Sequence, residues 1–240
     1  MENTNRETVL KIEDLKKSFL TGEVLKGVNL EIPAGKIVGL LGNNGSGKTT
    51  LLKILAGMTR DYEGKVSICG SRPGCTTKNY VAYLSDKCAL PDKLSISEII
   101  DIYERFFDDF DRQKCLELLD RFEVNPLQRP GEISLGTAEK AQIALTMARK
   151  AKLYILDEPL GAIDVVARDV VIDAILDSFG EESSMIIVTH LISEIEKLFD
   201  DACVLKDGKI TLYKNCDELR AEFGGTLQEA IKDILREEAV

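Results

Sequence analysis

The stretch "GNNGSGKTT", Gly42 to Thr50, follows the apolar run Ile37 to Leu41 and opens the helical pattern "KTTLLKILAG". It fits G-x-x-x-x-G-K-[ST], with Gly42, Gly47, Lys48 and Thr49 at the fixed positions. Strand, glycine-rich loop and helix in that order narrow the chain to an α/β fold whose loop wraps a phosphate. The glycines let successive backbone N–H groups curl around the anion, and the helix N-terminus adds about half a positive charge. Lys48 supplies a cation for the β- and γ-phosphates of a nucleotide, and the Thr49 hydroxyl is a ligand for Mg²⁺. Candidate phosphate-binding residues are therefore Gly42, Asn43, Asn44, Gly45, Ser46, Gly47, Lys48, Thr49 and Thr50.

Other segments fall into the same α/β pattern. Val28, Leu30 and Ile32 alternate as in a half-exposed strand, Pro33-Ala34-Gly35 makes a turn, and Ile37 to Leu41 reads as a buried strand. Gly57 ends the following helix. "GKVSICG", "YVAYLS", "KLYIL" and "MIIV" read as short strands, and "ACVLKDGKITLYK" as a hairpin turning at Asp207-Gly208. Between Ser95 and Asn125 helical spacing predominates, which predicts two or three helices inserted as a subdomain. Further helices are expected over "TAEKAQIALTMARKA", with Ile143, Met147 and the alanines on one side, from about Val165 to Phe179, and from about Ile192 to Phe199. "TLQEAIKDILREEA" is a charged amphipathic helix.

Four buried runs end in polar chemistry: "IVGLL" in the glycine loop, "VAYL" in Ser85-Asp86, "YIL" in Asp157-Glu158, and "MIIV" in Thr189-His190. Open parallel sheets bind ligands outside the carboxyl ends of their strands, so adjacency of these runs would place all four polar sets in one crevice. Asp157 is suited to the Mg²⁺ shell, and Glu158 to orienting or deprotonating an attacking water. A helix N-cap is the structural alternative for that acidic pair. His190, the single histidine of the chain, gains a functional reading from the same adjacency. Phe19 is an aromatic candidate for stacking on a base, equally suited to a core.

The formal net charge of −10 opposes a nucleic-acid partner, because phosphate backbones need a basic face. The six cysteines show no C-x-x-C pair and read as reduced thiols. The polar N-terminus "MENTNRETVLKIEDL" lacks a signal-peptide core, and no apolar run approaches the roughly 20 residues of a membrane span. The expectation is a soluble protein without direct membrane insertion, which reaches a membrane only through a partner.

In order, Phe19, "GNNGSGKT", Asp86, "ISLGT", "LYILDEP", "LGAID" and His190 resemble the ATP-binding cassette (ABC) ATPases over nearly the whole chain. The likeness is to a transporter's nucleotide-binding subunit, exporter-like, similar to Gram-positive drug or peptide-antibiotic resistance ATPases. It implies one domain over residues 1–240: a P-loop NTPase (RecA-like) core with an N-terminal antiparallel β-subdomain, a helical subdomain over about 87–150, and a short helical tail over about 216–240. The implied cofactors are ATP and Mg²⁺, with Thr49, Asp86 and Asp157 at the metal and Phe19 on the base. Two subunits, identical or different, would sandwich two ATPs head to tail. Ser134 and the Gly136 N–H, at a helix starting near Thr137, would then face the γ-phosphate bound by the partner. Lys48, Glu158 and His190 are the implied catalytic set, with Asp164 at the dimer contact.

The family's Q-loop glutamine is replaced by Asp86, and its L-S-G-G-Q signature reads Ile133-Ser134-Leu135-Gly136-Thr137, which implies slower hydrolysis. The helical insert and Asp86 loop would receive a cytoplasmic helix of an integral membrane permease subunit, with Phe106, Phe107 and Phe110 as contributors or as core. The tail implies export, and the implied location is the cytoplasmic face of the cell membrane. A non-transport ATPase working on ribosomes or DNA, and a nucleotide sensor with weak turnover, are the competing readings.

Overall fold

The computed structural model describes residues 7–237; the first six residues and the end of the expected helical tail lie outside that range. Two antiparallel strands, β1 (Thr8–Phe19) and β2 (Gly22–Pro33), pair with β4 (Glu63–Ile68) in a three-stranded sheet of order β2-β1-β4. Between β2 and β4 in the chain, β3 (Ile37–Leu41), which belongs to the second sheet, leads through the glycine loop into α1 (Lys48–Leu55). The strand β1 has no counterpart in the sequence reading. Its register shifts between Ile12 and Leu15, where Asp14 sits at φ 46°. Such a bulge breaks the period of two that marks a strand, although Val9, Leu10, Ile12 and Leu15 are all buried.

After β5 (Val81–Leu84) the chain enters α2 (Ile96–Phe106) and α3 (Arg112–Arg121). Ser95 and Glu98 close a capping box at the start of α2, and Asp111 caps α3. Helix α4 (Leu135–Met147) then leads back to β6 (Leu153–Asp157). Its expected one-sided burial is corrected: Ala141 to Met147 are buried without interruption, because α4 packs against α2, α3, α5 (Val165–Ser178) and β5 together. Over that enclosed half the helix shows no apolar stripe.

The chain continues through β7 (Ser184–Val188), α6 (Ile192–Ile195), β8 (Asp201–Lys206) and β9 (Lys209–Asn215). The single helix expected from Ile192 to Phe199 is instead α6 followed by a 3₁₀ turn over Glu196–Leu198, since Ile195 leaves helical geometry at φ −121° and ψ 3°. The hairpin between β8 and β9 turns at Asp207 and Gly208, both at positive φ, as a two-residue primed turn requires. Helices α7 (Cys216–Phe223) and α8 (Leu227–Glu237) follow.

The second sheet has the order β5-β6-β7-β3-β8-β9; every pairing is parallel except β8 with β9. Buried side chains fill both of its faces. One cluster joins it to α2 through α5, and the other to α1 and the three-stranded sheet. The four runs that end in polar residues are therefore consecutive neighbours, β5, β6, β7 and β3. Their carboxyl ends lie side by side.

Candidate active site

At those strand ends lies a crevice of about 400 Å³. Asn44, Gly45, Gly47, Lys48, Thr49 and Thr50 line it from the glycine loop, and Asp86, Asp157, Glu158 and His190 from the neighbouring strand ends. Gly42 makes the loop possible. Its φ is 151°, and a Cβ there would lie 2.1 Å from the Leu205 carbonyl oxygen, so no side chain fits. Helix α1 starts at Gly47 with no side-chain cap. Its first-turn N–H groups have no intrahelical acceptor, which makes the helix end an anion site. Ser46 is buried, and its Oγ has no hydrogen-bond partner.

Lys48 is 8 % exposed, and its Nζ donates to Gly42 O at 2.7 Å and Asn43 O at 3.1 Å. Burial pushes its pKa down, while the carboxylates of Glu158 and Asp157 work in the opposite direction. Asp157 ends β6 and is buried, with Oδ2 left without a hydrogen-bond partner. Its pKa rises to about 6, first through burial and then through repulsion from Asp86 and Glu158, against the pull of Lys48 and Lys53. The repulsion of Asp86 and Glu158 on a buried Asp157 is a concentration of negative charge that a bound cation would relieve.

Glu158 sits at φ 52°, the left-handed region that non-glycine residues rarely occupy. Its N–H donates to Val188 O at 2.8 Å, which locks the turn to β7. Oε2 accepts from the His190 N–H at 3.2 Å, and His190 Nε2 lies 3.4 Å from Oε1. Oε1 is buried and has no hydrogen-bond partner. The buried Thr189 turns the chain there, with Oγ1 accepting from Leu191 N at 3.0 Å. The lone histidine is thus held against the acid expected to activate water.

Not every expected residue enters this crevice. Gly42 and Asn43 line an adjoining cleft of about 310 Å³ that Gln228, Ile231 and Lys232 of α8 close from the other side. Phe19 lies at the hairpin between β1 and β2, half exposed, with Lys17 Nζ 4.8 Å from its ring centroid; it is not among the crevice-lining residues. Val24 and Val188, which the sequence reading did not single out, do line it. Both are ordinary strand valines, and only the packing of β2 against the loop brings Val24 there.

Ser134 and Gly136 stand apart from the crevice. Helix α4 begins at Leu135, two residues before the expected start, because Ser134 is its N-cap. Ser134 Oγ accepts from Thr137 N at 3.1 Å and shares a hydrogen bond with Thr137 Oγ1 at 2.8 Å. Leu135 is 59 % exposed. Asp164 caps α5 by accepting from Ala167 N at 3.0 Å, and beyond it Val165 and Val166 are exposed. In the helical region, Phe107 and Phe110 pack on Tyr103, and the buried Arg149 guanidinium lies 3.8 Å from the Phe107 centroid, whereas Phe106 is 75 % exposed.

A mainly parallel sheet, a glycine loop on an uncapped helix and an acidic pair at the end of a nearby strand define a P-loop nucleotide hydrolase. Residues 25–161 match the ABC transporter family, and the chain belongs to it as an ATPase subunit. The ABC transporter ATP-binding protein YtrB of Bacillus subtilis is 30 % identical over 218 residues, which are 90 % of this chain and 75 % of YtrB. The xylose import ATP-binding protein XylG of Photobacterium profundum is 31 % identical over 216 residues, 84 % of this chain but only 43 % of XylG. Among solved structures, an ATP-binding subunit of an ABC transporter superposes with a TM-score of 0.87 at 24 % identity, covering 95 % of this chain and all of its own. A dimeric ATP-binding cassette in a post-hydrolysis state, bound to ADP and Pi, gives 0.76 at 22 % identity, over 86 % of this chain and 98 % of its own. The two superpositions establish the fold.

Proposed function

We propose that this subunit binds ATP with Mg²⁺ in the crevice and closes head to tail on a second cassette. Hydrolysis at the closed dimer would power transport by integral membrane permease subunits. The observation that carries the reading is the convergence of Lys48, Thr49, Asp157, Glu158 and His190 on one crevice, with Asp157 Oδ2 buried and without a hydrogen-bond partner and Glu158 Oε1 buried beside His190 Nε2. The loop N–H groups and Lys48 hold the β- and γ-phosphates. Thr49, Asp157 and Asp86 supply the oxygens for Mg²⁺, an ion commonly held by one or two carboxylates together with substrate phosphates. When bound, the ion offsets phosphate charge. Glu158 takes a proton from a water whose oxygen attacks the γ-phosphorus. The bond from that phosphorus to the β–γ bridging oxygen breaks, ADP leaves with its electron pair, and phosphate is released. His190 fixes the carboxylate for that step.

The dimer reading is supported by the separation of Ser134 and Gly136 from this chain's own crevice, and by the dimeric state of the solved post-hydrolysis cassette. Among the described residues no helix is long and apolar enough to cross a membrane. The proposed place of work, through the permease, is the cytoplasmic face of the membrane. The expected export direction gains no support from the comparisons, where a xylose import protein stands beside YtrB. The proposal is therefore ATP-driven transport work without a direction. Glu158→Gln tests the reading: ATP binding persists, and sedimentation at saturating ATP finds a stable dimer. A monomer under those conditions refutes head-to-tail closure. Detergent capture of the tagged chain then recovers a multi-span membrane protein, and capture without one removes the transport role.

A further inference from the structure

Helix α4 carries two side chains that clasp the loops of the crevice from behind. Glu139 Oε2 accepts a hydrogen bond from Ala162 N at 2.9 Å. Gln142, only 6 % exposed, accepts from Ala89 N at 2.9 Å through Oε1. Ala162 belongs to the turn that follows Glu158, where Glu158 O accepts from Gly161 N at 3.1 Å. Ala89 lies in the loop that follows Asp86. A Cβ on Gly136 would lie 2.7 Å from Ala162 O, so α4 grips this residue at its N–H through Glu139 and abuts its carbonyl through Gly136. Glu139, Gln142, Ser85 and Glu158 are among the residues that line a small space of about 10 Å³ between helix and loops.

We infer that Glu139 is a positioning residue, which ties the partner-facing start of α4 to the turn that holds Glu158. A displacement of α4 when its Ser134 end meets the partner's nucleotide is transmitted to the carboxylate that activates water in this chain. Gln142 makes the parallel link to the Asp86 loop. The inference rests on the dimeric ATPase reading above. Its physical basis is a rigid helix joined to two loops by hydrogen bonds whose donors, Ala162 N and Ala89 N, would otherwise lose their acceptors. Burial raises the Glu139 pKa, and the Ala162 N–H opposes that by favouring the carboxylate.

The test is steady-state ATP hydrolysis by the full chain carrying Glu139→Ala, Glu139→Gln or Glu139→Asp, with thermal midpoints measured alongside. Glu139→Ala lowers kcat by roughly ten- to hundredfold, the scale of a displaced catalytic group. KM for ATP stays within about twofold, since no phosphate-binding group has changed. Glu139→Gln keeps an acceptor at the same reach and recovers most of kcat. Glu139→Asp keeps the charge but falls short of Ala162 N, and behaves like alanine. If Glu139→Ala does not fold, the contrast between Gln and Asp decides alone.

Parental kcat in Glu139→Ala or in Glu139→Asp overturns the inference. So does a loss carried by KM, or a Gln variant as impaired as the Asp variant. Failure of the underlying reading looks different. The unmodified chain would then hydrolyse no ATP, alone or with its membrane partner, and that result removes both.

Discussion

Two helix N-termini are assigned to phosphate, and they are built in opposite ways. Helix α1 starts at Gly47, φ 109°, with no side chain on its first N–H groups, behind a loop whose Ser46 Oγ is unpaired. Helix α4 starts at Ser134, whose hydroxyl already accepts from Thr137 N. The first end carries no side-chain acceptor, and the buried Asp157 and part-buried Glu158 line the same crevice. At the second, one first-turn donor is already taken by the cap, and Leu135 faces outward. On the proposed function the two ends differ accordingly: α1 offers uncapped donors to a phosphate of its own chain's nucleotide, while α4 keeps one donor on its cap until a partner's phosphate arrives.

The largest effect expected from breaking this contrast falls on the α1 side. Lys48→Ala removes the cation held between Gly42 O, Asn43 O and the carboxylates, and lowers ATP turnover by about a thousandfold or more, the scale of a lost electrostatic clamp. A radiolabelled phosphate-release assay measures it. Parental turnover in that variant would remove Lys48 from the mechanism.

Gly136→Ala probes the other end. The new Cβ would meet Ala162 O at 2.7 Å, a backbone atom that cannot swing away. The expected cost is about 1–3 kcal/mol of stability, typical of overpacking, read from urea unfolding. Closure on ATP weakens as well, because α4 is displaced from its clasp. A stability equal to that of the parent would show that the turn at Ala162 yields freely.

Much of this arrangement can be read in the chain itself. Gly42, Gly47, Lys48 and Thr49 carry a spacing with one physical use, and the polar ends of four apolar runs pointed to adjacency, which the order β5-β6-β7-β3 delivers. What stayed hidden depends on tertiary packing. Strand β1 is masked by its bulge at Asp14, and α4 by burial on every side. The contacts of Glu139 and Gln142 join residues 23 and 53 positions apart, for which no local pattern exists. Ser134 as a cap was within reach, since a serine ahead of a helical run is an N-cap signal.

Asp157 allows a test by pH. Its pKa is raised to about 6 from an ordinary 3.8, so the free protein gains stability from this carboxyl below the ordinary value and loses it as pH rises through about 6. Asp157→Asn removes the titration while keeping the shape. At pH 8 the variant without nucleotide melts several degrees above the parent, and the gap closes toward pH 4. The same variant loses a metal oxygen, so its turnover falls. Equal melting temperatures at pH 8 would mean that the negative charge concentrated at Asp157 costs the fold nothing.

The smallest expected shift in stability lies at Ser134, where capping and phosphate recognition can be separated. Ser134→Ala removes the acceptor for Thr137 N and costs about 1 kcal/mol, or about 2–4 °C in a chain of this size. Ser134→Asp restores an equally good cap, because a carboxylate accepts from the same N–H and suits a helix N-terminus, and its stability stays within a few tenths of a kcal/mol of the parent. A γ-phosphate arriving from a second subunit would nevertheless meet a negative charge there. ATP-dependent dimerisation in the Glu158→Gln background is therefore lost in Ser134→Asp although the fold is intact. Should Ser134→Asp dimerise like the parent while Ser134→Ala merely melts earlier, Ser134 is a cap and nothing more. The phosphate site at α4 would then have to rest on the Gly136 N–H alone.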